Sequence, residues 1–171
     1  NPNTSKKLFS KQSSTANAVV TIPVVFHVLY KNANQNISDA QIQSQLDVLN
    51  KDFRKLNTDF NTVVPTVFKP LGADVEILFC KATKTPTGVA TTGITRKSIP
   101  DTFDFYQYYY TSSGQLAWDN TKYLNIWIGD AADTGILGQA LLPVIPLQEN
   151  DGLAISYKAF GVGGATVGAN R

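Results

Sequence analysis

The stretch Val19-Val20-Thr21-Ile22-Pro23-Val24-Val25-Phe26-His27-Val28-Leu29-Tyr30 is β-branched or aromatic almost throughout. A run apolar at both odd and even positions reads as a strand buried on both faces of a covered sheet. Pro23 removes one ladder donor, which places it near the strand's start. Eight residues on, Ser38 and Gln41 have the spacing of a capping box, with Asp39 adding an acid to the first turn. Ile42, Leu46, Leu49, Phe53 and Leu56 then alternate spacings of four and three, one apolar stripe along a helix over Ser38–Leu56. Lys51, Arg54 and Lys55 suit its C-terminal dipole. Val75–Ala82 is the next strand, so the chain opens as β–α–β.

Beyond it, the turn-rich stretch from Thr83 leads to a short strand at Ile94–Lys97. Leu124–Ile128 is a further strand, Leu137–Val144 an extended segment that Pro143 and Pro146 push toward a sheet edge, and Leu153–Tyr157 a last strand. Asp101–Ser113 holds Phe103, Phe105, Tyr106, Tyr108, Tyr109 and Tyr110. This patch is read as a loop or short helix folded over the core, with stacking on sugars or bases as the alternative. Gly161–Gly168 lacks the lysine of a phosphate loop and is read as a glycine connector.

The chain has 171 residues, 43% hydrophobic and 16% charged, which suits one domain and excludes intrinsic disorder. No apolar run approaches the roughly 18 residues of a membrane span. Its net charge of +2 is unevenly placed. Lys6, Lys7 and Lys11 lie in a Ser/Asn-rich tail over residues 1–18, read as a leader or linker, which leaves twelve basic against thirteen acidic residues in the body, 19–171. Without a dense basic stripe, nucleic-acid binding is not expected. The single histidine and single cysteine cannot complete a zinc site of the usual kind. His27 is expected to be a core histidine bonded to backbone, and Cys80 a buried packing thiol. Asp101, Asp104, Asp130, Asp133, Glu149 and Asp151 fall in loops, so calcium is possible, but nothing fixes their geometry. With no methionine and a start at Asn1-Pro2, the chain is expected to be a processed product or a fragment.

Ile22–Tyr30, Ile37–Ile42 with Leu49–Arg54, Val75–Cys80, Gly88–Arg96, Trp118-Asp119, Lys122–Gly129, Gly138–Ala140 with Pro143, and Asp151-Gly152 together resemble the pappalysin-type zinc metallopeptidases. These form the cytophagalysin–ulilysin branch of the metzincins, and the resemblance runs from about Thr21 to Phe160. It implies an α+β or α/β fold: a twisted mixed sheet of about five strands with the long helix on one face. It also implies that Gly138, Gln139, Ala140 and Leu141 form the edge strand that pairs antiparallel with an extended peptide or protein substrate.

In that family the glycine connector leads into a helix carrying H-E-x-x-H-x-x-G-x-x-H, whose histidines hold zinc and whose Glu is the general base. That active-site helix is absent from this chain, as are any catalytic residues or metal ligands. The resemblance therefore implies the N-terminal portion of a secreted zinc endopeptidase, inactive without its C-terminal subdomain. A non-catalytic binding or structural module derived from the same half-fold is the alternative. An exposed apolar patch is expected on the sheet face opposite the helix, where the missing part would pack.

Overall fold

The computed structural model describes residues 18–131, 135–142 and 144–163. The opening strand, β1 (Val20–Tyr30), is the spine of a six-stranded sheet. Helix α1 (Asp39–Phe53) follows, then a single turn α2 (Phe60–Val63), β2 (Ile77–Lys81), β3 (Ile94–Ser98), α3 (Phe105–Tyr108), β4 (Leu124–Gly129), β5 (Gly138–Ala140) and β6 (Leu153–Ser156). The sheet order is β2-β1-β4-β6-β5, with β3 also on β1. Among the described strands only β5 runs antiparallel to its neighbour.

β1 is long enough to serve two neighbours on one edge. Its first half, Val20–Val24, pairs with β2, and its second half, Phe26–Tyr30, with β3. Its other edge pairs with β4. Pro23 is accommodated in the register beside Cys80.

Alternation along β1 feeds two cores. Val24, Phe26 and Val28 pack with Ile42 and Leu46 of α1, Ile126 and Ile128 of β4, and Phe160. On the other face, Leu29 and Trp127 pack with Ile99, Phe103, Phe105 and Tyr109. The aromatic segment is therefore a cover over the sheet, as its sequence suggested. It also overturns one expectation, because the face opposite α1 is not a bare apolar patch. Leu29 and Trp127 are fully buried there by this chain's own residues.

Helix α1 starts where the sequence places it, with Ser38 Oγ accepting from Gln41 N–H at 3.1 Å. It ends earlier than its apolar stripe. Lys55 takes a left-handed φ of 51°. Its N–H donates to Asp52 C=O, and Leu56 N–H donates to Lys51 C=O at 2.7 Å. This is a Schellman stop built on lysine instead of glycine, and it turns Leu56 out to solvent.

Candidate functional site

β5 closes one end of the sheet, and Gly138, Gln139 and Ala140 are all exposed. Leu141, the fourth residue of the expected edge strand, lies just past β5 and is also exposed; Pro143 is outside the described residues. The register sets Gly138 opposite Ile155, Gln139 opposite Ala154 and Ala140 opposite Leu153. Ser156 N–H donates to Leu137 C=O at 2.8 Å. Hydrogen-bonding positions alternate along an antiparallel ladder. Gln139 is thus the next residue to face β6, and Gly138 and Ala140 turn their N–H and C=O groups outward. Such an edge is a template for one more strand.

The side chains around it divide by face. Gln139 lies toward the aromatic cover, where its Nε2 donates to Tyr106 C=O at 3.4 Å and Tyr106 Oη donates to Ile136 C=O at 3.0 Å. Nothing in the sequence pattern marked Tyr106 apart from its aromatic neighbours. Leu137 just before the strand, and Leu142 and Ile145 in the segment after it, are exposed. The edge is polar along its backbone and apolar at its flanks, as an extended peptide requires.

The other candidate groups lie elsewhere. His27 is fully buried, as expected, but its partners are side chains and not backbone. Its Nδ1 lies 2.7 Å from Thr95 Oγ1 and its Nε2 3.0 Å from Asn125 Oδ1. Asn125 Oδ1 also accepts from Trp118 N–H, and its Nδ2 donates to Trp118 C=O and Asn120 Oδ1. That orientation makes His27 Nε2 the donor and leaves Nδ1 to accept from Thr95. Burial pulls the imidazole pKa down to about 4, against the hydrogen bond that His27 Nε2 donates to Asn125 Oδ1.

Cys80, expected inside, is exposed. Phe79 beside it faces the α1 core, so Cys80 points to the opposite face of the strand. Among the loop acids, Asp104 caps α3 by accepting from Gln107 N–H, and Asp130 sits 3.7 Å from Lys31 Nζ. Asp133 is outside the described residues. No three His, Cys, Asp or Glu side chains gather among the described residues, and His27 has both ring nitrogens engaged. These residues do not fit zinc.

No family model and no curated protein sequence matches the chain. Solved structures do. Mature mirolysin of Tannerella forsythia, solved with a cleaved peptide, is 41% identical with a TM-score of 0.80, over 89% of this chain and 58% of its own. A variant of Tannerella forsythia promirolysin is 41% identical with a TM-score of 0.81, over 88% of this chain and 50% of its own. Mirolysin bound to a small compound is 39% identical with a TM-score of 0.79. This chain belongs to the pappalysin-type metallopeptidase family. Its six-stranded mixed sheet with α1 on one face is the fold the resemblance implied. The pappalysin-type chain spans between 50% and 58% of the length of these relatives.

Proposed function

We propose that residues 19–171 are the N-terminal subdomain of the catalytic domain of a secreted zinc-dependent endopeptidase, preceded by a leader or linker over 1–18. In this reading β5 forms the upper wall of the cleft, and Gly138 and Ala140 offer their outward N–H and C=O groups to an extended substrate. One observation carries the reading: an antiparallel strand that pairs on one side only among the described residues, in a chain 41% identical to a mirolysin solved with a cleaved peptide. Zinc and the general base would come from residues outside those described, in the C-terminal subdomain that is this chain's partner. No step of hydrolysis is assigned to the described residues. Their part is to align the peptide, which lowers the entropy cost of attack.

The second reading, a non-catalytic peptide-binding module, draws on the covered sheet. Both of its faces are packed by this chain's own side chains. One experiment separates the two. The 171-residue chain and the gene product read on to its natural stop are each assayed with zinc on denatured casein. Cleavage by the longer product alone, abolished by a zinc chelator, is expected. A reading frame that stops without an H-E-x-x-H helix, or a longer product that leaves casein intact, would exclude the peptidase.

A further inference from the structure

β5 is weakly tied to the sheet for a strand with work to do. Among the described residues it has one neighbour, β6, and pairs with it over Gly138–Ala140, with one further bond from Ser156 N–H to Leu137 C=O. So short a strand, paired on one side, does not hold its own geometry. The element that meets its other contacts is α3. The Tyr106 hydroxyl donates to Ile136 C=O, two residues before the strand, at 3.0 Å. The Tyr106 carbonyl accepts from the side chain of Gln139, the strand's middle residue, at 3.4 Å. Tyr106 therefore meets both the approach to β5 and its centre, where the Gln139 side chain also reaches the Tyr109 hydroxyl.

Tyr106 has a firm base. Phe105 beside it is buried and lies against Gly129 of β4, where a Cβ would drive into its ring. Tyr109, one turn on, stacks edge-on to Trp127 with ring centroids 4.9 Å apart. Its hydroxyl donates to Asn150 C=O at 3.2 Å, just ahead of β6. α3 thus takes its position from the middle of the sheet and transmits it to the edge.

We propose that Tyr106 is a positioning residue for peptide binding, clamping Ile136 and Gln139 so that the outward main-chain groups of Gly138 and Ala140 are aimed at an incoming strand. The proposal rests on the reading of β5 as the peptide-pairing strand. Main-chain hydrogen bonds tolerate only a few tenths of an ångström and lose strength steeply with angle. An edge strand free to swing would bind an extended peptide weakly even with every donor present.

The test uses Tyr106→Phe, which keeps the ring and removes the hydroxyl. In the full gene product, KM for denatured casein should rise about three- to ten-fold with kcat nearly unchanged, the scale of one lost hydrogen bond. In the 171-residue chain, amide exchange at Gln139 and Ser156, on the β5–β6 ladder, should accelerate while Ile126 and Ile128 on β4 stay protected. Unchanged exchange at those two amides overturns the clamp. A fall in kcat with KM constant would reveal a general structural role and overturn it as well. If the unaltered gene product leaves casein intact, the peptidase reading fails and the peptide-binding half of the proposal with it. The exchange rates still decide the clamp.

Discussion

His27 shows how a single side chain can be judged correctly in kind and missed in detail. The strand pattern puts it inside, because it alternates with Val25 and Leu29 on a face that the aromatic segment covers. Its partners were not legible, since positions 27, 95 and 125 meet only through the register of β1 with β3 and β4. The buried imidazole has a consequence for stability. Its pKa of about 4 in the fold lies below the ordinary 6.5, so the folded state favours the neutral ring. That contribution is complete above pH 6.5 and is lost as pH falls from 6.5 through 4. A shift of this size corresponds to about 3 kcal/mol once the ring is forced to charge. Guanidinium unfolding of the native chain and of His27→Gln between pH 7 and pH 4 should show the native chain losing about that much more stability than the variant. Parallel losses in the two would place the acid sensitivity elsewhere.

Among the elements, α1 does more than its apolar stripe declares. Its inner face packs on the sheet, but its polar residues tie down two other segments. Gln41 Nε2 donates to Phe160 C=O at 2.8 Å, Gln45 Oε1 accepts from Gly161 N–H, and Ser44 Oγ accepts from Val162 N–H. The chain leaving β6 is thereby returned along the helix. At the other edge of the sheet, the Asn50 amide acts as a substitute strand. It accepts from Phe79 N–H at 2.7 Å and donates to Phe79 C=O at 3.0 Å. Nearby, Val75 N–H donates to Phe53 C=O. β2 is an edge strand whose outward groups are covered by a helix, one recognised protection against strand addition, whereas no described residue covers the outward backbone of β5 in this way. These roles were not readable because glutamine and asparagine on a helix face look solvated until the segment opposite is known. Asn50→Ala should cost about 1–3 kcal/mol in denaturant unfolding, the price of stranding two backbone groups. It should also give concentration-dependent association in sedimentation, as the β2 edge opens. A variant that is destabilised yet stays monomeric would show that the rest of α1 suffices to close that edge.

Across the whole molecule, the sequence revealed the spine strand, the covering helix and the order of strands, because periodicity and capping are local signals. It showed that Asp101–Ser113 folds over the core but not which sheet face it covers, since aromatic density without a period does not say where a segment lies. The edge position of Leu137–Val144 was legible in Pro143 and Pro146, whereas the narrowing to Gly138–Ala140 came from the family resemblance, a three-residue strand being too short to carry a period. With both faces of the sheet covered, apolar exposure moves to its margin. Leu142 is 86% exposed and Ile145 is 99% exposed, with Leu137 and Leu141 also open beside β5. A cluster of this kind is unusual on a surface that meets only water. Residues so exposed contribute almost nothing to the fold, so replacing them leaves stability within about 0.5 kcal/mol. The double variant Leu142→Ser, Ile145→Ser should therefore keep the unfolding midpoint of the native chain. It should at the same time bind less of a hydrophobic dye and raise the concentration at which light scattering begins. Dye binding that persists unchanged would move the sticky surface elsewhere, with Val63, Val67 and Leu71 in the segment between α1 and β2 as another exposed apolar set.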